Sequence, residues 1–99
     1  MRLTPTQIQT ITQTISQLTG GTAEVFLFGS RVDDRSRGGD VDLLIETPVP
    51  LALIECARIK MNLESLIDLP VDIVVQVRHE APTPFQRIAR ANTVRLEEP

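Results

Sequence analysis

Three carboxylates and one small-residue turn are the side chains of this 99-residue chain whose types and spacing could do chemistry. Gly29-Ser30 closes the apolar run Val25-Phe26-Leu27-Phe28, and Asp40-Val41-Asp42 opens the run Leu43-Leu44-Ile45. On an extended strand, residues two apart project from one face, so Asp40 and Asp42 would lie ~6–7 Å apart. Asp72 sits within Leu69-Pro70-Val71-Asp72-Ile73-Val74-Val75. A strand there, paired beside the first, would bring Asp72 to within ~5 Å laterally. Carboxylates gathered this closely repel one another unless a cation lies between them. Hard oxygen donors select Mg²⁺ or Mn²⁺ over zinc. No softer set competes, because Cys56 and His79 stand isolated. Two ions ~3.5–4 Å apart, bridged by a carboxylate, would activate an attacking hydroxyl and neutralise a leaving pyrophosphate. The Gly29-Ser30 turn would offer backbone N–H groups and a hydroxyl to terminal phosphates. Glycine permits close backbone approach, and a following helical turn presents free donors. An Asp-x-Asp pair alone is more often a solvated strand end. Asp72 weighs against that reading, since a carboxylate in so apolar a run is costly without a partner.

These residues need a scaffold. Thr4-Pro5-Thr6-Gln7 reads as a helix start, with Thr4 at the N-cap, Pro5 at the first helical position and Gln7 closing a capping box. Ile8, Ile11, Ile15 and Leu18 recur at helical spacing as a buried face, and Gly20-Gly21 stops the helix. Ala23 to Phe28 reads as a strand, residues 31–39 as a short helical turn plus a loop, and Val41 to Glu46 as a second strand. In the latter Val41, Leu43 and Ile45 share one face, with Asp40, Asp42 and Leu44 on the other. Pro48 and Pro50 precede a long helix, Leu51 to about Ile67, with Leu51, Ile54, Arg58, Met61 and Ser65 along one stripe. Val71 to Val77 reads as a third strand. Thr83-Pro84-Phe85-Gln86 repeats the first helix's cap, and Phe85, Ile88 and Ala89 are expected as the buried face of the last helix. Asn92-Thr93 ends it, before a short extended tail, Val94 to Leu96. This order predicts a small α/β (α+β) domain, with three or four strands in a mixed sheet and helices packed on it. The link between the first two strands is too short for a crossover helix, so that pair is expected to be antiparallel.

Composition bounds the answer. The length suits a single domain, residues 1–99, with a modest core. There is no Trp or Tyr and there are three Phe, so the core is aliphatic. A net charge of -3 argues against direct nucleic-acid binding, which needs a clustered basic surface. One cysteine forms no internal disulfide, no leader pattern is visible, and no run approaches the ~20 apolar residues of a membrane span. A cytoplasmic location is the expectation.

Taken together, Gly29-Ser30, Asp40-Val41-Asp42-Leu43-Leu44-Ile45 and Val71-Asp72-Ile73-Val74 resemble the signature of the DNA polymerase beta-type nucleotidyltransferase superfamily, and the short length resembles its minimal nucleotidyltransferases (MNT proteins). The resemblance covers the chain from about Ala23 to its end. It implies transfer of AMP from ATP to a hydroxyl. Asp40, Asp42 and Asp72 would be the catalytic, metal-holding residues for two Mg²⁺ ions (Mn²⁺ as a substitute), and Gly29, Ser30 and Arg31 would bind the nucleotide. It also implies a HEPN-domain toxin as partner in a hetero-oligomer. The chain would then be the antitoxin of a type VII-like toxin–antitoxin module, with a tyrosine of the partner as acceptor. One departure stands out. Many relatives carry Gly-Ser-x-Ala-Arg-Gly, whereas this chain reads Gly29-Ser30-Arg31-Val32-Asp33-Asp34, with Asp33 in place of the second arginine.

Other residues have plainer readings. Arg31, Arg35 and Arg37 are candidates for triphosphate or partner contact, or a solvated loop neutralised by Asp33 and Asp34. His79 reads as a surface histidine, Cys56 as a small core residue, and Arg87, Arg90 and Arg95 as a solvated basic edge. Two alternatives to protein AMP transfer remain: an antitoxin that neutralises its partner by binding alone, and a small-molecule nucleotidyltransferase.

Overall fold

The computed structural model describes residues 1–33 and 39–97; the backbone of Ser30 is included, its side chain is not. Helix α1 (Pro5–Thr19) leads into strand β1 (Glu24–Phe28) and a single 3-10 turn, Gly29–Val32. Strand β2 (Val41–Thr47), helix α2 (Leu53–Ile67), strand β3 (Val71–Val77), helix α3 (Pro84–Arg90) and strand β4 (Val94–Leu96) follow. Among the described residues the four strands form one mixed sheet in the order β3-β2-β1-β4. The pairs β1–β2 and β1–β4 are antiparallel and β2–β3 is parallel, joined through α2 as a crossover. The mixed α/β fold and the antiparallel first pair agree with the sequence reading.

Local chemistry sets the helix ends. Thr4 and Gln7 form the expected capping box, with Thr4 Oγ1 accepting from the Gln7 N–H and Gln7 Oε1 from the Thr4 N–H. Thr83 and Gln86 repeat it for α3. Helix α1 ends where Gly20 takes the left-handed conformation (φ +70°). Helix α2 starts two residues later than the sequence suggested. Its N-cap position is Ala52, whose N–H donates to the Glu55 carboxylate at 2.9 Å.

The sheet has two unlike faces. On one, Val25, Leu27, Val41, Leu43, Ile45 and Val71 pack beneath α1 and α2, which contribute Ile11, Ile15, Ile59 and Leu63. Alternation along the strands sends Phe26, Phe28, Asp42, Leu44, Glu46, Asp72, Val74 and Gln76 to the other face. Helix α3 lies over part of it. Its anchors are the buried Ala89, a hydrogen bond from Gln86 Nε2 to the Val75 carbonyl (2.9 Å), and an Arg90–Glu46 ion pair at 3.2 Å.

Two expected buried faces are different in the structure. Helix α2 docks through Ile59 and Leu63, while Leu53, Ile54 and Met61 are exposed and Cys56 is only half-buried. Apolar residues surround this helix, so periodicity alone could not select the stripe that meets the sheet. In α3 only Ala89 is buried; Phe85 and Ile88 are 59% and 73% exposed. The expected basic edge is partly spent in a cluster. Glu24 and Glu46 face each other across β1–β2, and Arg78 contacts both, at 3.9 and 3.1 Å. Arg90 adds to Glu46 and Arg95 to Glu24. No described helix is long and apolar enough to cross a membrane.

Substituting Leu27→Ala, at a position with no solvent exposure, is expected to cost about 2–5 kcal/mol in urea denaturation. Ile88→Ala is expected to stay within about 0.5 kcal/mol of the parent chain.

Candidate active site

The strand registers bring the chemistry together. Phe28 of β1 pairs with Asp42 of β2, and Asp42 pairs with Asp72 of β3. These three side chains form one row across the sheet, on the face opposite the main core and at the edge that α3 leaves open. Asp40 lies one residue before β2 and is exposed, not within the strand.

Asp42 is half-buried and its carboxyl titrates above its ordinary value. Burial is the first cause, followed by the charges of Asp72 and Asp40. The mutual repulsion places all three carboxylates within electrostatic reach of one another. Among the described residues they do not close into a metal-holding cluster of three. The donor set nevertheless fits a hard divalent cation: oxygen ligands only, two of them side by side, and an acid destabilised in its charged form by its neighbours.

Asp72 is not the buried acid that its apolar neighbours suggested. Its side chain is 62% exposed, because Val71 and Ile73 point to the opposite face. Lys60 Nζ of α2 lies 3.7 Å from Asp72 Oδ1. The same lysine donates to the Val71 carbonyl, and Glu64 Oε2 accepts from the Val71 N–H at 2.9 Å. Strand β3 is an edge strand, so Val71 would otherwise leave both backbone groups unpaired. Helix α2 satisfies them and thereby holds the residue that precedes Asp72.

Gly29 has a structural reason beyond phosphate contact. Its φ is +77°, and a Cβ built there would overlap Asp42 Oδ2 and lie 3.1 Å from the Asp42 carboxyl carbon. Only glycine gives the turn its shape and Asp42 its room.

Arg31 departs from the expected phosphate contact. It is 9% exposed, and its guanidinium is taken up by three backbone carbonyls. Nε donates to Asp40 at 3.2 Å, Nη2 to Gly39 at 3.0 Å and Nη1 to Arg2 at 2.8 Å. The Arg2 N–H returns a bond to the Arg31 carbonyl at 2.7 Å. A buried guanidinium must satisfy its fork of donors, and here it does so by gathering the N-terminal segment and the entry to β2. The Ser30 hydroxyl, Asp34, Arg35 and Arg37 lie outside the described residues. His79 is exposed in a turn. Cys56 is half-buried, and burial, then the charge of Glu55, pushes its thiol up, which disfavours a nucleophilic thiolate.

Sequence reasoning did not find Lys60 or Glu64 as site residues. Their only signal was helical i, i+4 spacing, which says nothing about where the helix docks.

A family model described as a nucleotidyltransferase domain matches residues 8–96. No curated protein gives a significant sequence match. Among solved structures, the chain is similar to one of a tri-AMPylated Shewanella oneidensis HEPN toxin in complex with MNT antitoxin. That likeness has a TM-score of 0.73 at 20% identity, over 93% of this chain and 70% of that one. A second crystal structure from Shewanella oneidensis gives a TM-score of 0.66 at 19% identity, over 91% and 69% of the two chains.

Two outcomes are expected. Gly29→Ala should destabilise the fold by about 1–2 kcal/mol from the left-handed backbone alone, with displacement of Asp42 visible as a shift of its carboxyl resonance in NMR. The raised pKa of Asp42 means that the folded state holds its proton more tightly than the unfolded chain. Its ionisation therefore works against folding as pH rises through the carboxylate range toward neutrality. In EDTA, Asp42→Asn should melt higher than the parent at pH 7, and the gap should close below the ordinary carboxylate range.

Proposed function

Because the chain belongs to the nucleotidyltransferase domain family, we propose that it transfers AMP from ATP to a hydroxyl of a HEPN-domain partner, as the antitoxin of a toxin–antitoxin module. The observation that carries this reading is the Asp42–Asp72 pair, set side by side by the β2–β3 register and flanked by the Gly29 turn. The new bond joins the acceptor oxygen to the α-phosphorus, and the bond broken is the one from that phosphorus to the oxygen of the leaving pyrophosphate.

Asp40, Asp42 and Asp72 hold the divalent cations in this proposal, with Mg²⁺ the first choice and Mn²⁺ a substitute. Bound there, such ions neutralise the phosphates and acidify the acceptor hydroxyl. Asp72, the most exposed of the strand carboxylates, faces an incoming acceptor and takes its proton. The N–H groups of the turn at Gly29-Ser30 orient the β- and γ-phosphates. Lys60 offsets the charge of Asp72 between turnovers. Arg31 acts one step back, holding the carbonyls of Gly39 and Asp40 so that the entry to β2 keeps its place. The likeness to a chain complexed with a tri-AMPylated HEPN toxin supports the choice of acceptor, and a tyrosine hydroxyl suits a base as weak as a carboxylate better than an aliphatic one.

Neutralisation by binding alone is the second reading. It is favoured by the exposed apolar residues of α2, Leu53, Ile54, Met61 and Leu66, which offer a surface for a partner.

The test uses ATP labelled at the α-phosphate, Mg²⁺ and a HEPN-domain protein as acceptor. The parent should label the partner. Asp42→Asn should lose at least about 100-fold, since residues one shell further from a metal already cost 10–100-fold. Equal labelling by the two proteins would overturn the reading, and full protection of cells by an Asp40→Asn/Asp42→Asn double variant would favour binding alone.

A further inference from the structure

The Phe28–Asp42–Asp72 row has a cavity on each side. On the α2 side, Leu53, Ala57 and Ile73 line a space that includes Lys60 and Asp72. On the α3 side, a cavity of about 420 Å³ is lined by Phe28, Gly29, Phe85, Ile88, Ala89 and Asn92. The second is within the size range of small-ligand sites. Its walls are two phenyl rings and an isoleucine, and Asn92 is its one amide. Phe85 and Ile88 leave most of their surface uncovered within the chain, being 59% and 73% exposed on a helix held largely by polar tethers.

Two features assign the cavity. Gly29 belongs both to its wall and to the turn proposed to hold the phosphates, so a ligand whose phosphates sit on the turn has this cavity next to it. The α2 cavity, by contrast, contains Asp72 and Lys60. In an in-line displacement the attacking and leaving groups lie on opposite sides of the phosphorus. With the leaving phosphates at Gly29 the acceptor enters from the Asp72 side, and the nucleoside, carried on an equatorial oxygen of the same phosphorus, has the apolar α3 cavity beside Gly29 open to it. We infer that this α3 cavity is the donor-base site, in which Phe28 and Phe85 hold a purine base by its faces, Ile88 closes the edge, and Asn92 offers an amide to the base's polar rim. The inference rests on the proposed nucleotidyl transfer and specifies its donor side.

The absence of Trp and Tyr from the chain makes the test clean. The triphosphate of 2-aminopurine riboside serves as a fluorescent probe, read against calorimetric binding of ATP and of inorganic tripolyphosphate, all in Mg²⁺. The proteins are the full chain, Phe85→Ala, and Phe85→Ala/Ile88→Ala; both sites are exposed, and a melting curve checks that each variant folds. Stacking on one aromatic ring is worth roughly 5- to 150-fold in affinity. The variants should therefore weaken ATP by that factor, leave tripolyphosphate unchanged, and reduce the fluorescence change of 2-aminopurine seen with the parent. ATP affinity equal to the parent's, or equal weakening of ATP and tripolyphosphate, would overturn the inference. So would loss of HEPN-partner binding with ATP affinity intact, which would make the cavity a protein contact. Failure of nucleotidyl transfer itself has a different signature: the parent would bind ATP and yet label no acceptor.

Discussion

The structure turns on the placement of two like charges side by side. The parallel register of β2 against β3 puts Asp42 next to Asp72 on one sheet face, and Asp40 adds a third negative charge at the entry to the strand. Packing of apolar side chains would never select such a pair, since each carboxylate raises the cost of ionising the others. What tolerates it lies in the surroundings. Gly29 has no side chain, so Asp42 can fold down against the turn. Lys60 supplies a positive charge to Asp72 from the neighbouring helix. Arg31 ties the carbonyls of Gly39 and Asp40 to the N-terminal segment. A divalent cation with phosphate ligands would complete the same compensation.

Division of labour between the two sheet faces follows. One face is mainly aliphatic, with the buried Thr47 at its end, and packs against α1 and α2. The other is mixed, with Phe26 and Leu44 beneath α3, the Glu24–Glu46–arginine cluster at one end and the carboxylate row at the other. Helix α3 is short and sits on polar tethers, so its two large apolar side chains are left facing outward beside the site. This unburied apolar surface, beside the carboxylate row, is the surface that the proposed donor site uses.

Much of this was legible in the residues. Both capping boxes, the glycine stop of α1, the alternation of β2 and β3 and the antiparallel first pair follow from short-range rules that the structure obeys. Elsewhere the local signal was ambiguous. Helix α2 has apolar residues on several sides, and its docking through Ile59 and Leu63 instead of Ile54 and Met61 depends on the shape of the sheet it meets. The apolar neighbours of Asp72 suggested burial, but they belong to the opposite face, and the strand lies at the sheet edge. Arg31, read as a phosphate contact because it follows Gly29-Ser30, turns inward to carbonyls contributed by residues 2, 39 and 40.

By itself the sequence determined the elements, their order and the candidate reactive groups, because caps, periodicity and side-chain chemistry are properties of neighbours along the chain. Only the tertiary structure decided which charges stand together, which arginine is spent on the backbone, that Lys60 and Glu64 hold the approach to Asp72, and that a cavity flanks each side of the carboxylate row. Those outcomes depend on strand register and helix docking. Both are set by contacts between residues distant in the chain, for which a single sequence carries no direct signal.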